Sequence, residues 1–318
     1  MPHLGYALSS EEHTPAALVR HAQRAEQVGF SFALISDHYH PWVSAQGHSP
    51  FVWSVIGGIA QVTQQLRLGT GVTCPTMRIH PAIIAQAVAT ASAMMAGRFF
   101  LGIGTGENLN EHILGDHWPP FAIREAMLVE AVEVMHQLWT GETTNFWGDF
   151  YTVEDARLFT LPDEPTPIMV AASGPKMAGT AGQIGDGLIN TAPDPDIVQK
   201  FHNESDETRP CFGQMTVCWA STAEEAKRTA HRIWPNAGLK GQLSQELRGV
   251  SLFEQATQPL SVEQVTEELV CGPDAQAHID KIQKYIDAGY DHVYIHQIGP
   301  DQEGFFRFYE REVLPRFQ

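Results

Sequence analysis

Eight short runs of strand-forming residues alternate with stretches of helical spacing from one end of the chain to the other. That alternation constrains the fold most, because parallel neighbours need a crossover between them and the crossover is normally a helix. The runs are residues 3–9 (HLGYALS), 32–37 (FALISD), 66–73 (LRLGTGVT), 98–106 (RFFLGIGTG), 167–173 (PIMVAAS), 187–192 (GLINTA), 212–220 (FGQMTVCWA) and 292–298 (HVYIHQI). After the first run a helix is expected from Pro15 to Val28, with Thr14 as N-cap, Gly29 as terminator, and Leu18, Ala22 and Ala25 on one face. A second helix, over 81–97, opens with proline in its first turn and closes on glycine. Eight such units in 318 residues predict a (β/α)8 TIM barrel with residues 1–318 as one domain. An open Rossmann sheet would place GxGxxG directly after the first strand, where SSEEH stands instead. Residues 40–50, 143–153 and 235–260 do not fit the repeat and are expected as insertions, the middle one as a hairpin.

Charge narrows the partners. Subtracting 37 acids from 20 bases leaves −17, which argues against nucleic acid or an anionic membrane surface. The N-terminal segment MPHLGYALSSEEH shows no signal-peptide pattern, and no apolar run approaches the roughly 20 residues of a membrane span. Cys74, Cys211, Cys218 and Cys271 lack CxxC spacing and are expected as reduced thiols in a cytoplasmic protein. A small molecule is the expected ligand.

In a TIM barrel, chemistry gathers at the C-terminal ends of the strands. The second run ends in Asp37 and His38, followed by Tyr39, His40 and Trp42. A histidine beside a carboxylate can serve as a general base near neutral pH, and an indole can wall a ligand. The same residues also fit a capping acid with histidines packed on a loop. The fourth run ends in glycines and then supplies Glu107, Asn110 and Glu111; either Glu107 is an acid–base group or it caps a turn. GIGTGE lacks the third glycine of a dinucleotide fingerprint. Gly71 and Val72 could bring backbone against a planar cofactor or simply turn the chain. Ser173 and Gly174 precede a helix beginning at Pro175, a place for an anion with Lys176 near, or an ordinary strand-to-helix turn. Thr191 ends the sixth run, and His296 and Gln297 are the polar candidates in the eighth. A metal site lacks HExxH and a third ligand beside His38 and His40, and no nucleophile elbow is present. What remains suits a large, planar, phosphate-bearing cofactor with a neutral substrate above it.

Several motifs in one order carry a resemblance that spans nearly the whole chain: SDHYHPW at 36–42, LGTGVTCPT at 68–76, HPAIIAQA at 80–87, GTGENLNE at 104–111, AASGP at 171–175 and GDGLINT at 185–191. The sequence resembles the luciferase-like (LLM class) oxidoreductases that use the deazaflavin coenzyme F420, in the branch around F420-dependent glucose-6-phosphate dehydrogenase. The resemblance implies a dehydrogenase with His38 as the base, Trp42 stabilising the transition state and Glu107 as the second acid–base partner. It implies cofactor contacts from Asp37, Gly71, Val72, Cys74, Gly106, Asn110, Ala171, Ser173 and Gly174, with a cis peptide between Gly71 and Val72. The resemblance keeps Thr191 as a substrate contact, His40 and His296 are added as substrate contacts from their place at the strand ends, and a homodimer is expected. The phosphate clamp of that branch is altered. Asp194 stands where a lysine is expected, and the segments 242–247 (QLSQEL) and 264–269 (QVTEEL) offer glutamine and glutamate, with Lys240 and Arg248 as the nearby bases. An acid facing a phosphate repels it, so an unphosphorylated sugar or secondary alcohol is the expected substrate. Two alternatives use the same scaffold: a reductase of a carbonyl, imine or alkene driven by reduced F420, and an FMN-dependent monooxygenase. A non-catalytic barrel is a further alternative, against which the His38, Trp42 and Glu107 set speaks.

Overall fold

The computed structural model describes residues 2–317. Eight parallel strands close into a barrel: β1 (His3–Leu8), β2 (Phe32–Ile35), β3 (Arg67–Thr70), β4 (Phe99–Ile103), β5 (Ile168–Ala171), β6 (Gly187–Asn190), β7 (Cys211–Cys218) and β8 (His292–Gln297). Closure comes from β8 pairing with β1 in register Leu4 to Val293, and from β6 pairing with β7 in register Ile189 to Phe212. Closing the sheet removes both edges, so every strand finds its hydrogen bonds within the barrel. A two-residue strand, Val270–Cys271, adds to the end of β7. The expected hairpin forms between Thr144–Trp147 and Thr152–Ala156.

Local signals act where their chemistry predicts. Thr14 Oγ1 accepts from Ala17 N at 3.2 Å to open the helix Pro15–Val28, and Gly29 closes it in the left-handed conformation at φ 104°. The helix over 81–97 stops sooner, at Met94, with His80 Nδ1 accepting from Ala82 N at its start. Strands also stop short of the sequence runs. Beyond Thr70 the Gly71–Val72 peptide is cis, and the ladder resumes only as a single bridge between Thr73 and Ile103. Beyond Ile35 the Asp37 side chain bonds Arg78 and Thr73, and the chain leaves the β1–β2 ladder. The segment 235–260 holds a 3₁₀ turn, Pro235–Gly238, and two short helices, Leu243–Glu246 and Val250–Thr257.

Two apolar layers follow from the strand alternation. The outer one joins strands to helices through residues such as Leu18, Ile56, Val88, Leu128 and Ile282. The inner one fills the barrel with Phe32, Leu34, Phe100, Met169, Ile189, Phe212 and Tyr294. Phe212 stacks on Phe100 and meets Phe32 edge-on, each at 5.3 Å between ring centroids, and this plug sets the depth of the cavity above it. Gly69 makes the plug possible: a Cβ there would stand 2.2 Å from the Phe100 ring. Among the described residues no helix is long and apolar enough to cross a membrane.

Candidate active site

A cavity of about 720 Å³ opens above the plug, at the C-terminal ends of the strands. A smaller one of about 370 Å³, between helices Val52–Val62 and Pro81–Met94, is walled by residues such as Trp53, Ile56 and Ile84. Among the described residues the wall of that second cavity carries no titratable group.

The larger cavity collects twelve of the candidate residues. Asp37 and His38 come from the end of β2, Gly71, Val72 and Cys74 from β3, Gly106, Glu107 and Asn110 from β4, Ala171, Ser173 and Gly174 from β5, and Thr191 from β6. Trp42, His40 and His296 do not line it. Trp42 stands behind the site, edge-on to His38 at 5.2 Å and packed on Phe253. His40 turns outward because its Nδ1 lies 3.0 Å from the Leu109 carbonyl. His296 is buried against Glu12, with Nε2 3.1 Å from Oε2, and its other side is covered by the Trp234 ring. Both histidines are held by these protein partners and stand outside the lining of the cavity.

His38 sits between two carboxylates. Nδ1 lies 2.7 Å from Glu11 Oε1, in close ion contact though its N–H is not aligned on the oxygen, and Nε2 lies 3.5 Å from Glu107 Oε2. Burial lowers the pKa of a cationic ring, but the charges of Glu11 and Glu107 outweigh it and raise His38 to about 9. Burial would raise Glu11; the charge and hydrogen bonding of His38, with the Ser36 hydroxyl at 2.7 Å, instead hold it down at about 2. Glu107 goes the other way. Burial pushes it up to about 7, and the nearby Glu11 and Glu111 charges add to that push against His38. At neutral pH the row therefore reads as carboxylate, imidazolium and a carboxyl near its midpoint.

The backbone that presents His38 is pinned from the neighbouring strand end. Asn110 Oδ1 accepts from Tyr39 N at 3.0 Å and His40 N at 3.1 Å, while its Nδ2 donates to Glu107 Oε2 at 3.3 Å. One side chain thus sets both the imidazole and its partner acid. Asp37 is buried and accepts from Arg78 Nη2 at 2.9 Å and Thr73 Oγ1 at 2.8 Å. Arg78 also reaches Glu111, whose Oε2 accepts from the Arg78 N–H at 2.9 Å. Burial raises the Glu111 carboxyl, and the Arg78 guanidinium it shares with Asp37 opposes that shift.

Backbone dominates the wall formed by β3, β4 and β5. Gly106 adopts φ 77°, and a Cβ there would stand 2.6 Å from Cys74 Sγ, so only glycine fits this turn. Burial pushes the Cys74 thiol up, keeping it neutral. Gly174 caps the helix Pro175–Ile184 without a side-chain bond, leaving first-turn N–H groups free to meet an anion. Lys176 borders the same corner, ion-paired to Glu125. These features fit a large planar cofactor with an anionic arm: close backbone for the ring, amides and a base for the arm.

The luciferase-like monooxygenase family profile matches residues 1–292. The chain belongs to this family. Similar relatives include the F420-dependent glucose-6-phosphate dehydrogenase of Nakamurella multipartita, 36% identical over 99% of this chain and 96% of the relative. That of Intrasporangium calvum is 36% identical over 98% of each. Among solved structures, an F420-dependent secondary alcohol dehydrogenase in complex with an F420–acetone adduct superimposes with a TM-score of 0.92 at 30% identity, over 100% of this chain and 99% of that one. The coenzyme F420-dependent tetrahydromethanopterin reductase of Methanopyrus kandleri shares the fold, with a TM-score of 0.80 at 21% identity over 100% and 99%.

Within this luciferase-like barrel, two groups central to the site escaped the motif reading. Glu11 lies in SSEEH, noted in the sequence only for lacking GxGxxG, and it is buried beneath His38. Two adjacent acids directly after a barrel strand were the available signal. Arg78 was the other; a lone base in a strand-top loop of an acidic chain is its signal. Asp194 does not face the cavity. Its carboxylate caps the helix Pro195–His202, accepting from Asp196 N and Ile197 N. Lys240 is engaged by Glu267 at 2.7 Å.

Proposed function

We propose that the protein is an F420-dependent dehydrogenase acting on a small uncharged alcohol or unphosphorylated sugar, with His38 as the group that takes the hydroxyl proton. The observation that carries this reading is the row Glu11–His38–Glu107 set into a cavity that, apart from His38 itself, is lined among the described residues by a single base, Lys176, already paired with Glu125. A phosphorylated substrate would meet Asp37, Glu107 and Glu111, with no unpaired lysine or arginine lining the cavity among the described residues to hold it. Coenzyme F420 is the redox partner in this reading, as the relatives' names support, and when bound it supplies the two-electron acceptor. The groups that would hold it are the backbone at Gly71, Val72, Gly106, Ala171, Ser173 and Gly174, with the buried Asp37 and Asn110 beside them.

The geometry supports a proton path. Glu11 keeps a proton on Nδ1 and fixes the ring, so Nε2 is the nitrogen that exchanges. In the resting protein Nε2 is protonated, and the Glu107 carboxylate is the acceptor that can relieve it. The freed Nε2 then takes the proton of the substrate hydroxyl as hydride leaves the adjacent carbon. The edge of Trp42 excludes water from one side of the imidazole. A second reading, hydride delivery to a carbonyl, has one observation in its favour: an imidazolium with a pKa of about 9 is already a proton donor at neutral pH.

The deciding experiment titrates the purified protein with F420 and with FMN, then follows bleaching of F420 with 2-propanol, glucose and glucose 6-phosphate. Tight F420 binding, turnover of an uncharged substrate and a hundredfold or greater loss in His38→Ala are expected. Preferred binding of FMN, or glucose 6-phosphate as the best substrate, would overturn the reading.

A further inference from the structure

The opposite wall of the cavity carries hydrogen-bonding capacity that the protein does not use. Side chains at 212, 214 and 216 of β7, and at 292, 294 and 296 of β8, alternate into the barrel. Phe212 belongs to the plug, so Gln214 is the first polar residue above it, and its strand partner in register is Tyr294. Both line the cavity. Neither the Gln214 amide nor the Tyr294 hydroxyl bonds a protein group among the described residues, whereas the Gln214 carbonyl is taken by Tyr285 Oη at 2.6 Å. The Tyr294 side chain is otherwise enclosed, and burial raises its phenol, so the hydroxyl stays a donor. Polar groups left without partners in an enclosed site are costly, and an amide offers both a donor and an acceptor.

Barrel order assigns the ligand these groups face. The backbone-rich segments suited to the cofactor lie on β3, β4 and β5, and β7 stands four strands from β3, across the barrel. β8, β1 and β2 complete that far arc, and the last two present Glu11 and His38. Gln214 and Tyr294 therefore share the substrate's side with the proton acceptor. Thr191, at the end of the adjoining β6, adds a third neutral polar group.

We propose that Gln214 and Tyr294 form a second anchor for the substrate, selecting neutral compounds that carry a further hydroxyl or carbonyl oxygen beside the reacting carbinol over plain aliphatic alcohols. The proposal rests on the dehydrogenase reading and narrows its substrate class to diols, polyols and unphosphorylated sugars. A plain alcohol leaves the amide and phenol unpaired; that is the condition under which polar sites discriminate strongly.

The test compares 2,3-butanediol with 2-butanol, which share a carbon skeleton, in the F420-loaded enzyme. Binding is read from the fluorescence of the bound coenzyme, and kcat/KM from its bleaching. A preference for the diol of about 5- to 30-fold is expected, the range of one or two net hydrogen bonds. Gln214→Met and Tyr294→Phe, which preserve volume, each abolish most of that preference and leave the F420 dissociation constant unchanged; Gln214→Asn restores part of it. Equal use of both alcohols by the wild type overturns the anchor while leaving the dehydrogenase reading intact. Variants that weaken F420 binding without changing the diol preference also overturn it, since the polar pair then serves the coenzyme. A binding preference without turnover of either alcohol supports the anchor and refutes the dehydrogenase reading instead.

Discussion

Replacing Glu11 with glutamine removes the charge beneath His38 while keeping the shape and an oxygen that can still accept from Ser9 and Ser36. His38 stands at about 9 against an ordinary value of 6.5, with Glu11 the leading cause that raises it. Without Glu11, burial continues to pull the ring down and only Glu107 and Asp37 oppose it, so its pKa falls toward 6.5. At about 1.4 kcal/mol per pH unit, full return is worth roughly 3 kcal/mol, an upper limit because the other acids keep a share. The pH window follows from the two directions. A histidine raised on folding contributes stability fully below 6.5 and loses it as pH rises through about 9. A carboxylate depressed on folding contributes fully above 4.5 and loses it as pH falls through about 2. Both values describe one interaction and are not summed. The gap in unfolding free energy between wild type and Glu11→Gln is therefore widest between pH 4.5 and 6.5 and closes toward about 9. Denaturant titrations across that range measure it, and NMR titration of the His38 ring reads the cause directly. A gap that is flat with pH, or an imidazole that still titrates near 9 in the variant, would refute the assigned pairing.

Further outcomes are expected. The rate of alcohol oxidation rises with pH as Glu107 ionises near 7 and continues toward the His38 value near 9, whereas carbonyl reduction falls over the same span; parallel profiles would remove both groups from the proton path. Asn110→Ala frees Tyr39 N and His40 N and lowers kcat/KM by about tenfold to a hundredfold through misplacement of His38; an unchanged value would make Asn110 a bystander. Gly69→Ala drives a methyl into Phe100 and costs about 1–3 kcal/mol in urea unfolding, with an unmoved midpoint as the contrary result. Asp194→Ala loses a helix cap, costing about 1 kcal/mol without creating glucose 6-phosphate turnover; a gain of that activity would place the carboxylate in the site.

Much of the architecture was legible because it rests on local chemistry. Thr14 and Gly29 bound the first helix, and the β-run and helix alternation required a parallel sheet with crossovers. His38, Glu107, Gly71 and Ser173 could be nominated for a similar reason: each follows a strand, and strand ends converge at one face of a barrel. Asp194 shows where position alone misleads. The resemblance sets it where a phosphate-binding lysine is expected, yet its carboxylate accepts from the N–H groups of its own helix. Facing those amides costs less than facing a cavity that already holds three acids.

The sequence by itself determined the alternation, the caps, the glycine turns and the set of residues that could stand at strand tops. Only the tertiary structure decided which of them meet. Glu11 finds His38, and Arg78 finds Asp37 and Glu111, through strands and loops far apart along the chain. His40 and His296 turn to Leu109 and Glu12, while Gln214 and Tyr294, whose side chains are unpaired among the described residues, line the cavity. The physical reason is that alternation fixes which face of a strand a side chain leaves from, while its partner, and with it its protonation state, is set by neighbours that closure of the barrel supplies.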